Sequence, residues 1–170
     1  AGPSNPVTAF LADHYHAVDG LDIDPRCEGN AYLRNAHVYD GGVFPLPDDS
    51  YDAVVCNYVA EHLEHPREMI GEIRRVLRPG GFLALRTPNR YHYVSLGSCL
   101  TPHWFHRAAA NRLRALPGES EDPYPTFYRM NTTAALERLF AEAGFGIRRL
   151  DTVEKEPSYG MVHPLLFLIF

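Results

Sequence analysis

The 170 residues are 45% hydrophobic and 22% charged, the balance of one globular domain, 1–170, with a full core. A formal net charge of -5 repels a phosphate backbone over most of the surface, so no nucleic acid partner is expected, and a small uncharged or cationic one fits better. Cys27, Cys56 and Cys99 are an odd set without CxxC spacing, which argues against a disulfide framework and suits a reducing cytoplasm; there is no signal peptide and no transmembrane segment of about twenty apolar residues.

In chain order, 5–13 predicts a helix and 16–22 a short strand, broken by Asp24-Pro25. A weak strand follows at 36–39, then a strong, buried one at 51–57 (Tyr-Asp-Ala-Val-Val-Cys-Asn). Residues 66–77 form an amphipathic helix whose apolar stripe is Met69, Ile70, Ile73, Val76 and Leu77. Pro79-Gly80-Gly81 ends it with a tight turn, and a buried strand at 82–87 runs to Pro88. Strand, helix and strand in this order predict an α/β fold, a doubly wound and mostly parallel Rossmann-like sheet with function at the carboxyl ends of its strands.

The alternation lapses from Tyr91 to Met130, a stretch holding His92, His103 and Trp104 with a Pro-rich loop. Insertions of this length at the working edge of a sheet are binding loops, so 91–130 is read as a lid over a ligand pocket, with a packed insertion as the alternative. Asn131-Thr132-Thr133 caps a helix through Ala143, Gly144 stops it, and 146–153 returns as a strand. The chain starts on turn residues and stops inside the apolar run Pro164 to Phe170, so the natural protein is expected to extend in both directions, and a homo-oligomer could complete that apolar end.

Four ordered motifs carry a resemblance. They are Gly20-Leu21-Asp22-Ile23-Asp24-Pro25; Asp40 with Phe44-Pro45-Leu46-Pro47-Asp48-Asp49-Ser50-Tyr51-Asp52; Asn57-Tyr58-Val59-Ala60-Glu61-His62; and Arg75-Val76-Leu77-Arg78-Pro79-Gly80-Gly81. Together they resemble the methyltransferase type 11 group of class I S-adenosylmethionine-dependent methyltransferases, closely over 1–89 and loosely over 131–152. The resemblance implies a Rossmann-like methyltransferase sheet, S-adenosylmethionine as methyl donor, and donor binding by Gly2, Asp22, Ile23, Asp40, Gly41, Asn57 and Tyr58. Gly2 stands where the middle glycine of the family's opening loop is usual, but Ser4 stands where the last one is, and the strand before that loop precedes Ala1.

The residue chemistry fits those roles. A carboxylate ending a strand, as Asp22 does, can accept both hydrogen bonds of a ribose diol, although it would serve NAD equally well. Asp24 more simply initiates the next turn. Asp40 beside Gly41 offers a carboxylate and an open backbone to an adenine amino group, and an ordinary Asp-Gly turn is the other reading. Asn57 and Tyr58 can meet a sulfonium with an amide, carbonyls and a ring face. Methyl transfer needs mainly alignment and exclusion of water, so a base is optional; for a hydroxyl acceptor the candidates are His62, then His92 and His103. His62 and His65 have an H-x-x-H spacing without a third ligand, so no metal site is expected. The expected reaction is methyl transfer to a small-molecule or carbohydrate-like acceptor at oxygen. A nicotinamide-dependent oxidoreductase and a noncatalytic domain on a decayed methyltransferase sheet are the rivals.

Overall fold

The computed structural model describes residues 2–3, 5–91 and 124–153. Most of the expected lid, with His92 and His103, therefore lies outside the described residues, as do Cys99 and the apolar run from Pro164. Contacts divide the chain into two units, Ala1–Val54 with Glu68–Leu83, and Val55–Arg67 with Ala84–Phe170.

The first unit opens with helix α1 (Pro6–His14), which starts where it does because Asn5 Oδ1 accepts the amides of Val7 at 2.9 Å and Thr8 at 3.4 Å, with Pro6 in the first turn. Strand β1 (Asp19–Asp22) begins later than the pattern predicts. Its first bond to the neighbouring segment is Arg34 N to Val18 O, 2.7 Å, and the exposed residues before it pair with no strand among the described residues. Asp24 caps a 3-10 turn, Pro25–Gly29, with Cys27 fully buried beneath it. Strand β2 (Asn35–Val38) then runs parallel to β1, from Asp19 opposite Asn35 to Asp22 opposite Val38.

Strand β3 (Tyr51–Asn57), helix α2 (Pro66–Val76) and strand β4 (Leu77–Arg86) give the strand–helix–strand unit that the sequence predicts, with β3 and β4 as hydrogen-bonded neighbours. Ile70, Ile73 and Val76 form the buried stripe of α2. Two details differ from expectation. The Pro79-Gly80-Gly81 turn does not separate helix from strand, because pairing starts at once: Asp49 N bonds to Arg75 O at 3.0 Å and Ser50 N to Val76 O at 2.9 Å. Gly80 still needs its freedom, at φ 85°, and a Cβ on Gly81 would stand 3.0 Å from Arg78 O and 3.1 Å from Asp52 O. Nor is β3 buried on both faces. Only Cys56 is buried and Val55 is 41% exposed, while exposure alternates along the end of β4, as it does in a strand covered on one face.

At the start of β1 lies a polar cluster. Asp19 accepts from Arg34 at 3.0 and 2.6 Å, from Asn35 at 3.1 Å and from the Tyr51 hydroxyl at 2.9 Å. Burial pulls the Asp19 pKa upward, but the bonds from Arg34, Tyr51 and Asn35 outweigh it and leave the carboxyl below its ordinary range. Burial and the same carboxylate push Tyr51 up to about 12. A depressed carboxyl pKa stabilises the fold above the unfolded value, about 3.9, and that contribution is lost as pH falls through the folded one. Thermal unfolding followed from pH 6 down to 2 is therefore expected to fall less steeply below about pH 4 for Asp19→Asn than for the wild type. Equal slopes would mean that the cluster does not set acid stability.

In the second unit, helix α3 (Thr133–Glu142) is capped by Thr132, whose Oγ1 accepts from Ala135 N at 3.2 Å, and closed by Gly144 at φ 78°. Met130, Leu139 and Phe140 are buried here. The strand expected at 146–153 is absent: the segment is exposed and pairs with nothing among the described residues, and a strand exists only through its ladder. Among the described residues no helix is long and apolar enough to cross a membrane.

Candidate functional site

The parallel register of β1 and β2 brings two of the sequence-predicted carboxylates to one rim of the first unit. Asp22 ends β1, Tyr39 N donates to Asp22 O at 3.1 Å, and Asp40 follows directly. Each carboxylate is aimed by a local bond, Asp22 Oδ1 accepting from Asp24 N at 3.1 Å and Asp40 Oδ1 from Gly42 N at 3.0 Å. The Asp-Gly turn is thus real, and it is also what orients Asp40. Asp24 is the turn initiator, its carboxylate accepting from Arg26 N at 2.9 Å and pairing with the Arg26 guanidinium.

The backbone around these carboxylates is open. Gly41 lies at φ 93°, and a Cβ on Gly41 or Gly2 would meet nothing within 4 Å. Gly2 O accepts from Asn30 Nδ2 at 2.8 Å, and Asn30 is buried, so the opening loop is held from beneath. Ile23, beside Asp22, leaves 48% of its surface exposed, an apolar side chain without cover at a carboxylate rim. Two carboxylates for hydroxyl and amino donors, an apolar wall and two unobstructed glycines are what a nucleoside needs, so the residues present fit an adenosyl group.

Behind Asp40, the loop to β3 is held by one arginine that the sequence reading treated only as part of a motif. Arg75 donates to Glu72 at 3.0 and 2.6 Å, to Asp48 at 2.6 Å, and to the carbonyls of Leu46 at 2.8 Å and Phe44 at 3.0 Å. Glu72 also accepts from Phe44 N at 2.8 Å. The Arg75 bond holds the Glu72 carboxyl below its usual range, and Glu72 followed by Asp48 raises Arg75 further above the range where it could lose its proton.

In the second unit, Asn57 ends β3 and Tyr58 takes φ 56°, a left-handed conformation that costs a non-glycine residue about 1–3 kcal/mol and is kept where surroundings impose it. Tyr58 N donates to Arg86 O at 2.9 Å, and the Arg86 guanidinium lies over the Tyr58 ring, 4.9 Å from its centroid. One face of the ring expected to meet a sulfonium is therefore occupied by a cation. His62 lies on the 3-10 turn Ala60–His62, with Nδ1 2.9 Å from Pro125 O. A carbonyl only accepts, so Nδ1 is the donor in this bond, and Nε2 is the nitrogen that a neutral ring would leave to accept.

Beside His62 runs a buried polar chain that sequence reasoning missed. Asn131 Nδ2 donates to Thr87 Oγ1 at 2.5 Å and to Pro88 O at 3.1 Å, and Thr87 Oγ1 donates to the buried Glu61 carboxylate at 2.9 Å. Glu61 O takes the amides of Phe127 and Tyr128, the latter at φ 50°. Asn131 Oδ1 is buried and has no hydrogen-bond partner among the described residues. Acidic and amide residues beside turns read as surface from sequence, and nothing in their spacing marks them as buried. Cys56 is inert packing, its thiol pushed up to about 12 by burial. Among the described residues no group of three or more metal-ligating side chains is assembled.

Comparison with known proteins gives this geometry a family. A model described as a methyltransferase domain matches residues 4–150. A Mycolicibacterium smegmatis protein named "Probable S-adenosylmethionine-dependent methyltransferase" is 39% identical over 158 residues, covering 91% of this chain and 50% of that protein. The zebrafish (Danio rerio) tRNA N(3)-cytidine methyltransferase METTL2 is 36% identical over 108 residues, 57% of this chain and 30% of that protein. The chain thus spans half or less of the length of these relatives. Among solved structures, the complex between the Haloferax volcanii Trm112 methyltransferase activator and a methyltransferase matches with a TM-score of 0.60 at 19% identity, over 89% of this chain and 60% of that one, which bears out the Rossmann-like α/β fold. With the matched model spanning most of its length and the carboxylate rim in place, the chain belongs to the S-adenosylmethionine-dependent methyltransferases.

Proposed function

We propose that the protein transfers a methyl group from S-adenosylmethionine to a small-molecule or carbohydrate-like acceptor, at oxygen. The observation that carries this reading is the pair Asp22 and Asp40 at the ends of two adjacent parallel strands, with Gly41 open beside them. Asp22 would accept the ribose hydroxyls and Asp40 the adenine amino group, while Ile23 would offer an apolar surface and Gly2 and Gly41 would admit close approach. Asn57 and Tyr58, in the second unit, are the further donor-binding residues that the family resemblance implies.

When bound, the donor supplies an already activated methyl group, so the protein's main work is alignment and exclusion of water. His62, whose Nε2 would be the accepting nitrogen of the neutral ring, is the residue proposed to take the proton of an acceptor hydroxyl. His92 and His103 remain further candidates for this role. Product mass, measured with and without His62→Gln, tests the assignment; undiminished methylation in the variant would remove His62 from the chemistry.

A second reading is supported by the zebrafish relative, whose name specifies tRNA. Net charge of -5 weighs against an RNA acceptor, because phosphate contacts supply most non-specific affinity. Thermal unfolding separates the classes: S-adenosylmethionine is expected to raise the midpoint with concentration and NAD to leave it unchanged. Stabilisation by NAD alone would return the oxidoreductase, and stabilisation by neither would favour a noncatalytic domain. Salt-dependent binding of tRNA would favour the second reading.

A further inference from the structure

We infer that the acceptor carries an anionic group, a carboxylate or a phosphate, which Arg86 binds; this rests on the methyl-transfer reading above. Ser50 N bonds to Val76 O before β3, and Tyr58 N bonds to Arg86 O after it, so β3 and β4 run in the same direction and finish side by side. Arg86 is the last residue of β4 and Tyr58 the first beyond β3, which places both at the rim where an α/β sheet works.

Arg86 is exposed and makes no ion pair among the described residues; its guanidinium rests on the Tyr58 ring at 4.9 Å. The carboxylate of Glu61 is buried and takes the hydroxyl of Thr87, the residue after Arg86. Stacking on a ring pre-orients the planar fork and leaves its N–H edges for a planar or tetrahedral anion. Tyr58 is itself held at φ 56°, which sets the direction in which its Cα–Cβ bond leaves the chain at this rim.

The electrostatics point the same way. The Arg86 guanidinium carries a full positive charge at the end of β4, and an anion on the acceptor offsets it. This reverses the expectation drawn from net charge: the chain as a whole is acidic, but the end of β4 presents a cation that has no counter-ion among the described residues, and local potential rather than the total selects a small ligand.

The probes are benzoate, phenyl phosphate and the neutral benzyl alcohol, titrated by NMR into the protein with and without S-adenosylhomocysteine. At least one anion is expected to bind more tightly than benzyl alcohol, with the tighter of the two naming the group. Arg86→Gln should weaken that anion about fivefold while leaving S-adenosylhomocysteine affinity unchanged, and Arg86→Lys should restore part of the loss. Equal binding of benzyl alcohol and both anions, or anion binding indifferent to Arg86→Gln, would overturn the inference. Failure to bind S-adenosylhomocysteine would instead defeat the donor reading, because the anion titrations without it still decide the role of Arg86.

Discussion

Arg75→Ala is expected to lower the free energy of unfolding by about 2 kcal/mol, the largest single effect on stability anticipated from these interactions. The bond to Asp48 contributes little, since Asp48 is 71% exposed and solvent screens it. The loss comes from the inner bonds. Without the guanidinium, the carbonyls of Phe44 and Leu46 and the half-buried Glu72 carboxylate lose their donor, beside a Phe44 that is already packed into the core. Arg75→Lys keeps the charge but cannot reach all these acceptors at once, so it should recover less than half. Urea denaturation measures both variants, and a change below about 0.5 kcal/mol for Arg75→Ala would mean that water replaces these bonds without cost. Because the clamped loop connects Asp40 to β3, weaker donor binding should accompany the loss.

Asp22→Ala should weaken S-adenosylmethionine binding at least about tenfold, or about 1.4 kcal/mol, the loss expected for a charge-assisted hydrogen bond. The substitution also removes the bond from Asp24 N, so a control is required. Asp24→Ala disturbs the same turn by removing its cap, without touching the proposed ribose contact, and should leave donor affinity within about twofold. Calorimetry on the two variants separates the roles. Equal affinities of Asp22→Ala and wild type would show that the carboxylate is not at the ribose.

Much of this protein is legible from local signals. The period of Ile70, Ile73 and Val76, the cap at Thr132, the stop at Gly144 and the apolar run of β3 are each set by residues within a turn or two of one another, and the structure places those elements where the pattern does. Local rules failed where the partner was distant. The strand read at 146–153 lacks a ladder, and the turn read at Pro79-Gly80-Gly81 is absorbed into β4 because residues 49 and 50 pair with the end of α2.

The sequence by itself determined the α/β class, which depends on short-range periodicity, and the ordered motifs that carry Asp22, Asp40, Asn57 and His62, whose resemblance to a known group pointed to the methyltransferase family. Only tertiary structure decided that Asp22 and Asp40 share a rim, that Pro125 O accepts from His62 Nδ1, that Glu61 is buried and that Arg86 lies on Tyr58. These depend on which groups long-range packing brings together and which it leaves without a counter-ion, and burial and pairing of that kind leave no periodic trace in the chain.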